Sequence, residues 1–580
     1  MTDRLTDLLG ELTELVARES EATRRAFHAH WSQPVAARVE TGRSLSGLEF
    51  VAVAADRFFR FRCVEENTSD LREDDLVRLS RGDPALPLFS GNLHRVEDAD
   101  LWLEPDKSSR GILEELSSGR WVLDPSFLDL ESFYRGGLRD LGETARGRER
   151  ILPLLLGKLE PQIDLERFEQ ASEQAEKEGV NEAQSEAIAQ SVATDLCHLV
   201  QGPPGTGKTF MLAHVVKQRV ARGERVLITA ATHRAIHNAL NMIRRIAPEI
   251  TDIAKIGRQI HDPELRVSQY EAFAASPLQD REGGYVVGAT PFAVRSKRLR
   301  GVDFDAAIID EAGQVTLPLA IMAMLAANAY VLVGDHRQLP PVIQSLPRGE
   351  THLASIFGRL NGRGCETMLD VTYRMNAELV QWPGESFYNG KLRPAKQNAG
   401  RRLALPQAPR ELGEILDPAK PLVFVEMTHQ AARRHSNEEA TLVADLLVNL
   451  WRVGFSLAEV AVVVPFRRQA RRIRMILNAR PAILTNDVSS CVIDTVDRMQ
   501  GQEREVVILS MTASEPGYIV TLLDFLLQPQ RLNVAVTRAR SKVIILASEQ
   551  IALAESMDPD ALELIDLWKS LRDACHVIRM

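Results

Sequence analysis

Residues 202–209 read Gly-Pro-Pro-Gly-Thr-Gly-Lys-Thr, a complete GxxxxGKT phosphate-loop pattern. The apolar run 196–200 before it predicts a buried strand, and the periodic segment 210–221 after it predicts a helix that Gly223 ends. Glycines let several backbone N–H groups face one anion, and the N-terminus of the following helix adds partial positive charge. A glycine-rich turn without a ligand would not need the full pattern between a strand and a helix. The stretch therefore predicts a phosphate site formed by Gly205, Thr206 and Gly207.

Four further side chains complete the predicted chemistry of this site. Lys208 can reach the β and γ phosphates of a nucleotide as a point charge, and the Thr209 hydroxyl can bind Mg²⁺. Asp310 and Glu311 follow the apolar run 306–309. An Asp-Glu pair often only begins a helix, but two carboxylates at a strand end downstream of a phosphate loop favour hydrolysis. We expect Asp310 to hold the Mg²⁺ shell and Glu311 to orient and deprotonate the attacking water.

The next predicted strand ends in residues 334–341, Gly-Asp-His-Arg-Gln-Leu-Pro-Pro. Glycine and proline alone would support a simple turn. However, a strand beside the one that carries Asp310 is a suitable place for a side chain that senses the γ-phosphate. Gln338 is the predicted sensor.

Length and composition limit the class of protein. With 580 residues the chain is too long for one hydrophobic core, and 45% hydrophobic with 26% charged residues is typical of a soluble globular protein. The net charge of −9 argues against a generally basic nucleic-acid coat, so any nucleic-acid path is predicted to be a local groove. The five cysteines form no CxxC pair, which favours reduced thiols in a cytoplasmic protein over a metal site. Acidic residues near the N-terminus and the interruptions in the apolar stretch 317–333 predict neither a secretory signal nor a membrane span.

The pattern along the chain predicts an α/β fold with an additional N-terminal part. Residues 1–40 and 107–160 have helical periodicity, and the short alternating runs between them suggest a small inserted β-barrel. From residue 180, near-continuous apolar strands alternate with helices, which indicates parallel sheets covered on both faces. The predicted domains are a stalk helix (1–40), an accessory β-barrel (41–106), a helical stalk (107–160), a first P-loop domain (161–365) and a second α/β domain (366–580). The strand candidates are 225–230, 306–309, 330–333, 422–425, 460–464, 492–495, 506–510 and 543–547.

Ten short segments, taken together and in order, resemble those of a known enzyme family. The chain is similar to superfamily 1 helicases of the 1B group, close to the branch of the nonsense-mediated-decay RNA helicase, the immunoglobulin-mu-binding helicase and senataxin. The resemblance covers about residues 180 to 548 and extends more weakly to the predicted stalk and barrel. It implies two tandem RecA-like P-loop domains. The segments are 181–184, 202–209, 229–240, 288–290, 310–314, 334–341, 373–375, 464–469, 500–503 and 531–540.

The resemblance implies a role for each residue that matches a family motif. Gln184 would contact the adenine edge, Tyr373 would stack on the base, and Glu503 would contact the ribose or nearby groups. Gln338 would contact the γ-phosphate. Arg374 and Arg538, from the second domain, would act as arginine fingers that stabilise charge on the transferring phosphoryl group. An isolated arginine is often only part of a surface ion pair, but these two lie within family motifs.

Candidate contacts to a nucleic-acid strand follow predicted strands in both domains. Single strands are gripped mainly through phosphates and by stacking. Charge runs are often only solvated faces, and this alternative stays open for the two arginines. The candidates are Thr232, His233, Thr290, Pro291, Arg467 and Arg468.

The leading hypothesis is a monomeric ATP-dependent translocase and helicase on single-stranded DNA or RNA, with ATP and Mg²⁺ as cofactors. By resemblance it would move 5′ to 3′. The alternative is a nucleic-acid-stimulated ATPase switch or clamp that remodels a complex without separating strands. A metabolic P-loop kinase fits poorly, because it leaves the arginine motifs of the second domain without a role.

Overall fold

The computed structural model describes residues 2–55, 57–65, 67, 69, 71–73, 75–97, 99–106, 112–259, 262–345, 355–480, 490–499 and 501–580. The chain divides into two compact units, Met1–Arg139 with Ile343–Gly349 and Asp140–Val342 with Glu350–Met580. The first unit contains a closed barrel, and the second contains two large parallel sheets. Among the described residues, no helix has the length and apolar composition needed to cross a membrane.

The first unit consists of N-terminal helices and a six-stranded antiparallel barrel with the order β1-β2-β5-β4-β3-β6. Its strands alternate between inward and outward side chains, as expected for a small barrel. In β2, for example, Phe59 and Phe61 are buried while Arg60 is half-buried. The elements are α1 (Thr2–Trp31), α2 (Val35–Glu40), β1 (Leu45–Ala54), β2 (Phe58–Cys63), β3 (Leu76–Ser80), β4 (Phe89–Glu97), β5 (Asp100–Pro105), α3 (Leu113–Leu116) and β6 (Trp121–Pro125).

The barrel extends beyond the predicted bound at residue 106. Strand β6 pairs with both β1 and β3 and thereby closes the barrel. Trp121 is fully buried, and its indole Nε1 donates a hydrogen bond to the Leu116 carbonyl at 3.0 Å. Strand β6 has only five residues and follows the short helix α3. Its hydrophobic pattern is therefore too short to be distinguished from the helical periodicity of the sequence around it. The predicted stalk 107–160 therefore supplies a barrel strand as well as helices.

The second unit contains two lobes, of which lobe 1 (residues 161–342 and 350–368) carries the phosphate-loop pattern. Its eight strands are all parallel to their neighbours, with the order β10-β9-β11-β8-β12-β13-β7-β14. Strand β14 pairs with β7, so lobe 1 ends at residue 368 and not at the predicted residue 365. The strands are β7 (Cys197–Gln201), β8 (Arg225–Thr229), β9 (Ile253–Ile256), β10 (Ser268–Tyr270), β11 (Tyr285–Gly288), β12 (Phe304–Ile309), β13 (Ala327–Gly334) and β14 (Glu366–Met368). Helices before and within this lobe are α4 (Glu131–Glu143), α5 (Leu152–Leu155), α6 (Leu165–Lys177), α7 (Glu182–Ala193), α8 (Lys208–Ala221), α9 (His233–Ile246), α10 (Pro291–Arg295), α11 (Leu317–Met324) and α12 (Ile356–Leu360).

Lobe 2 (residues 371–580) is built on a second parallel sheet, with the order β19-β18-β20-β21-β17-β22. Buried apolar clusters cover both faces of this sheet. The strands are β15 (Val371–Thr372) and β16 (Arg393–Pro394), which pair apart from the main sheet, and β17 (Leu422–Met427), β18 (Val460–Val464), β19 (Val492–Thr495), β20 (Arg504–Ser510), β21 (Ala539–Ser548) and β22 (His576–Arg579). The helices are α13 (Ala377–Tyr388), α14 (Lys396–Ala399), α15 (Gly413–Leu416), α16 (Asn437–Arg452), α17 (Arg467–Asn478), α18 (Pro516–Thr521), α19 (Leu523–Leu526), α20 (Pro529–Val536) and α21 (Pro559–Asp573).

The two lobes repeat one strand order. Six adjacent strands of lobe 1, β11-β8-β12-β13-β7-β14, correspond one by one to the six strands β19-β18-β20-β21-β17-β22 of lobe 2. In this correspondence the strand before the phosphate loop, β7, matches β17. The predicted fold of two tandem parallel-sheet domains with an N-terminal barrel is confirmed.

Candidate nucleotide site

The phosphate loop has the backbone that its glycines predicted. Gly205 and Gly207 have φ of 76° and 82°, in the left-handed region that favours glycine. Helix α8 begins at Lys208, two residues earlier than predicted, with Gly207 as its N-cap. The Thr206 hydroxyl donates to the Pro203 carbonyl at 2.8 Å and closes the loop.

Lys208 lies across its own loop. Its ammonium donates to the Gly202 carbonyl at 2.6 Å, and a Cβ on Gly202 would overlap the Lys208 side chain. A carbonyl oxygen carries no net charge, so the Gly202 carbonyl positions the Lys208 ammonium without neutralising it. A phosphate group would supply the negative charge that pairs with this ammonium.

Gln184 supports the loop from below. It is 3% exposed, its amide Nε2 donates to the Thr206 carbonyl at 3.0 Å, and its Oε1 accepts from the Asn181 backbone at 3.3 Å. The second of these contacts belongs to a capping box at the start of α7. Both polar atoms of the Gln184 side-chain amide therefore hydrogen-bond to nearby backbone groups. The contact of Gln184 with adenine stays a prediction.

Asp310 and Glu311 stand directly after β12. Asp310 is 4% exposed and accepts from the Glu311 backbone at 2.9 Å. Burial, with the nearby Glu311 charge, raises the pKa of Asp310 to about 7, while Lys208 acts in the opposite direction. Glu311 has φ of 50°, an uncommon conformation for a residue with a Cβ that is often seen at functional sites.

The residues present fit a magnesium ion. The predicted protein ligands, the Thr209 hydroxyl in the first turn of α8 and the Asp310 carboxylate, supply only oxygen, which is the donor type that Mg²⁺ prefers. The raised pKa of Asp310 marks a buried carboxylate without enough positive charge around it, and a cation would correct this. Two protein ligands leave room for water and phosphate oxygens.

Gln338 joins the two lobes. It is buried, and its Nε2 donates to the Asp335 carboxylate at 2.9 Å. Its Oε1 accepts from a guanidinium nitrogen of Arg538 at 3.2 Å. The predicted phosphate sensor of lobe 1 therefore contacts a predicted arginine finger of lobe 2.

Arg538 is a poorly compensated buried charge. It precedes β21 and is 3% exposed, and its Nε is buried without a hydrogen-bond partner among the described residues. Burial lowers the pKa of Arg538 to about 9, and the neighbouring Arg374 acts in the same direction. A buried guanidinium with so few partners is costly, so an anion in this cleft would stabilise it.

Arg374 and Tyr373 approach the loop from lobe 2. The Arg374 Nε pairs with Glu503 at 2.7 Å, and its Nη1 donates to the Thr537 carbonyl at 3.0 Å. Glu503 therefore orients Arg374, and its contact with the ribose stays a prediction. Tyr373 is 37% exposed and donates from its backbone to the Gly205 carbonyl at 2.8 Å, so it lies beside the loop with a side chain that is open to a stacking partner.

This approach of the two lobes requires a glycine at position 205. A Cβ there would come within 2.6 Å of the Thr372 hydroxyl and would also overlap the Arg374 side chain. The Thr372 hydroxyl itself donates to the Pro204 carbonyl at 2.9 Å. The cleft between the lobes is thus closed around the phosphate loop.

A buried polar network, which the sequence did not predict, also spans the cleft. The Tyr388 hydroxyl, at the end of α13, donates to the Asp335 carboxylate at 2.7 Å. Asn533 on α20 donates to the Tyr388 hydroxyl at 2.9 Å and to the Arg337 carbonyl at 2.8 Å. Asp335 is the carboxylate that also holds Gln338. Two helices of lobe 2 therefore support the predicted phosphate sensor of lobe 1.

The predicted nucleic-acid residues lie at the carboxyl ends of strands. Thr232 and Thr290 are the N-caps of α9 and α10, after the paired strands β8 and β11, so they share one edge of the lobe 1 sheet. His233 and Pro291 are the first residues of these helices. Burial, with Lys255 nearby, lowers the pKa of His233 to about 4, so this ring is neutral at pH 7. In lobe 2, Arg467 and Arg468 begin α17 after β18.

Comparison with known proteins agrees with the division into two lobes. One family model described as an AAA domain matches residues 179–351, and a second with the same description matches residues 352–550. The DNA replication ATP-dependent helicase/nuclease JHS1 of Arabidopsis thaliana is 30% identical over 372 residues, which is 61% of this chain and 27% of that protein. The DNA replication ATP-dependent helicase/nuclease DNA2 of Xenopus laevis is 27% identical, over 84% of this chain and 49% of that protein.

A third relative and one solved structure complete the comparison. The DNA polymerase alpha-associated DNA helicase A of Schizosaccharomyces pombe is 28% identical, over 61% of each protein. The crystal structure of Arterivirus nonstructural protein 10 (helicase) aligns with 90% of this chain and 78% of that one at 13% identity, with a TM-score of only 0.39. The chain spans 27%, 49% and 61% of the three relatives, so it covers less than two thirds of each.

Proposed function

We propose that this chain is an ATP-dependent translocase and helicase that acts on single-stranded nucleic acid. The observation that carries the proposal is the cleft between the lobes, where the buried and underpartnered Arg538 of lobe 2 reaches Gln338 of lobe 1. Such an arginine fits a site where the charge of a transferring phosphoryl group must be stabilised. The similarity to proteins named as helicases supports the same function.

The chemistry divides among the residues of the cleft. The backbone of the phosphate loop and Lys208 would hold the phosphates of ATP, and Tyr373 would stack on the base. Thr209 and Asp310 would hold Mg²⁺, which neutralises phosphate charge when bound. Glu311 would orient the attacking water and accept its proton, while Arg374 and Arg538 stabilise the charge that develops on the γ-phosphoryl oxygens.

Catalysis would depend on the relative position of the lobes. The arginines and the phosphate loop belong to different lobes, so hydrolysis requires a closed cleft, and loss of the γ-phosphate removes the anion that favours closure. Candidate contacts to a strand lie on both lobes, at Thr232 and Thr290 on one and at Arg467 and Arg468 on the other. If the lobes grip in alternation while the cleft opens and closes, the chain steps along the strand.

The finer assignments belong to the same proposal. Membership of the 1B group and 5′ to 3′ movement are inferred from the ten sequence segments. DNA is the first substrate to test, with RNA as the second, because two relatives are named as DNA replication ATP-dependent helicase/nucleases and the third as a DNA helicase. A monomer in the cytoplasm is the expected state.

The test is ATPase activity with matched single-stranded DNA and RNA, followed by unwinding of duplexes with a 5′ or a 3′ tail. We expect stimulation by single strands and separation of the 5′-tailed duplex. Stimulation without separation in either polarity would support the switch or clamp. No stimulation by any nucleic acid would contradict both.

We also expect Tyr388→Phe to lower ATP turnover about tenfold, because loss of a hydrogen bond to a buried carboxylate costs roughly 1.5–3 kcal/mol. The ring still packs, but Asp335 loses a donor and holds Gln338 less firmly. Tyr388 is thus predicted to be a positioning residue. Steady-state kinetics should show the effect in kcat more than in the KM for ATP.

Tyr330→Phe is the matched control. Tyr330 is equally buried, and its hydroxyl donates at 3.2 Å to the Ala327 carbonyl, within its own strand. This variant should keep the wild-type kcat. Equal kinetics of the two variants would remove the network from the mechanism.

A further inference from the structure

A second cavity lies in lobe 2, far along the chain from the phosphate loop. Its volume is about 670 Å³, and it lies between the loop 428–436, the start of α16, the start of α17 and the segment after β20. Five of its lining side chains are cationic or can become so, one is aromatic and one is acidic. These are His429, Arg433, Arg434, His435 and Arg468, then Tyr518, then Glu438.

The position of this cavity repeats that of the phosphate loop in lobe 1. Strand β17 occupies the place of β7, and the loop after it leads into the 16-residue helix α16 as the phosphate loop leads into α8. The carboxyl ends of β12 and β20 also correspond. Two residues after each of these strands the chain turns through a positive φ, 50° at Glu311 and 71° at Thr512. Lobe 2 therefore places a helix N-terminus where lobe 1 has its phosphate loop, although here the Ser436 hydroxyl caps the helix by accepting from the Glu439 backbone at 3.1 Å.

The chemistry of the lining differs from that of lobe 1. The loop 428–436 has no glycine and no counterpart of Lys208, so its backbone does not form a tight phosphate cradle. It carries arginines instead. An arginine side chain binds a phosphate group with two parallel hydrogen bonds and does not require the backbone to wrap around it.

The three arginines have few competing partners. Arg468 forms no hydrogen bond or ion pair with another described residue, and among those residues Arg434 donates only to the Tyr518 hydroxyl, at 3.2 Å. Arg433 lies over the Tyr518 ring and pairs with the Glu515 carboxylate at 3.6 Å, a loose contact near solvent. Positive charge is therefore available at the cavity.

A buried hydrogen-bond network lies beside the cavity, at the start of α16. Glu439, fully buried in the first turn of α16, accepts from the Ser510 hydroxyl at 2.6 Å and from the Thr512 backbone at 2.9 Å. His429 bridges Glu439 and Ser514, at 3.0 Å and 2.8 Å. A satisfied buried network of this kind fixes the loop that presents the arginines.

We propose that this cavity binds a phosphate group and that the backbone of a single-stranded nucleic acid supplies it. The inference rests on the proposed function. A nucleic-acid backbone is favoured over a free nucleotide because Arg468 follows β18 just as Thr232 follows β8, on the corresponding edge of the sheet. The site thus gives lobe 2 its own grip on the strand, in the place where lobe 1 holds the nucleotide.

The experiment measures the affinity of the full chain for a labelled single-stranded oligonucleotide over a range of salt concentrations. Arg433→Gln with Arg434→Gln, and separately Arg468→Gln, should weaken binding about tenfold or more. Each should also reduce the log–log salt slope by about 0.7 for every phosphate that is no longer neutralised. Arg480→Gln is the matched control, because Arg480 lies just past the end of α17 and pairs with Asp445, outside the cavity.

A second arm distinguishes the source of the phosphate. Pyrophosphate is titrated into the wild type while ADP and Mg²⁺ saturate the phosphate loop. The proposal predicts that any pyrophosphate bound through Arg433 and Arg434 displaces the labelled oligonucleotide, because both would use the same arginines. If these variants lose pyrophosphate binding but keep the wild-type oligonucleotide affinity and salt slope, the ligand is a free phosphate compound and the nucleic-acid proposal is wrong.

The two proposals can fail separately. If the wild type shows oligonucleotide-stimulated ATPase activity but the cavity variants bind like Arg480→Gln, only the cavity proposal fails. If the wild type is neither stimulated by nor bound to single strands, the proposed function fails first. Melting temperatures of all variants near that of the wild type show that the substitutions leave the fold intact.

Discussion

Arg538→Ala should lower the ATP turnover of this chain by about 10³-fold or more, the range seen when an arginine finger is removed from a nucleotide hydrolase. Arg538 is the buried guanidinium that reaches Gln338 across the cleft, and alanine leaves the phosphoryl charge without that partner. The phosphate loop and Tyr373 are unchanged, so ATP affinity should change little. Single-turnover hydrolysis and equilibrium binding of a fluorescent ATP analogue measure the two quantities separately.

Two comparisons show whether this loss is catalytic. Arg538→Lys keeps the charge but loses the planar fork, and we expect it to recover little activity. Arg579→Ala, which removes an exposed arginine paired with Glu426, should have wild-type turnover. Alanine removes the hydrogen bond to Gln338 but also a buried charge whose Nε has no partner among the described residues, so the melting temperature should change little. A large fall in melting temperature together with the loss of activity would indicate a structural role.

Much of the fold could be predicted because its central strands are long, apolar and bounded by helices. All eight strand candidates correspond to observed strands, as does the run before the phosphate loop. The strands that the sequence did not predict are short or lie at edges. Ser268–Tyr270 has three residues at the end of its sheet, and His576–Arg579 has only two apolar residues, between polar ends, at the other lobe's edge. Such segments form strands only because a neighbour is present to pair with them.

The residues of the candidate site could be predicted from sequence where a single short motif contains all the residues needed for one role. The phosphate loop, Asp310 and Glu311 each follow a strand, and the sheet brings their positions to one edge. For Gln184 the family motif suggests a contact with the nucleotide, whereas the structure shows its side chain in a capping box with Asn181. The three-residue spacing of this pair is itself a local signal of a structural use. The pair of Glu503 with Arg374 joins residues 129 positions apart, and no local pattern encodes such a pair. The hydrogen bond between Tyr388 and Asp335 is likewise a product of tertiary packing.

Lys208→Ala should lower ATP turnover by about 10² to 10³-fold and reduce strand separation with it. Its ammonium is the only charge that the phosphate loop itself supplies, and it lies at hydrogen-bond distance from the Gly202 carbonyl, ready to exchange that carbonyl for a phosphate oxygen. Removing one preorganised donor from a developing anion costs about 10² to 10³ in kcat. Loss of the interaction with the ground-state phosphates should weaken ATP binding as well, so kcat/KM should fall further than kcat. ATPase assays with saturating single-stranded DNA measure both.

Lys217→Ala is the control, because Lys217 lies in the same helix α8 and its ammonium pairs with Glu178 at 2.7 Å, away from the loop. It should hydrolyse ATP and separate strands like the wild type. Lys208→Ala should still bind single strands, since its substitution touches no residue of the predicted strand path. ATP-dependent unwinding by Lys208→Ala at the wild-type rate would place the energy source outside this loop and would contradict the motor proposal. Retained strand binding with lowered turnover and lowered unwinding is the outcome that only a nucleotide-driven mechanism in this cleft produces.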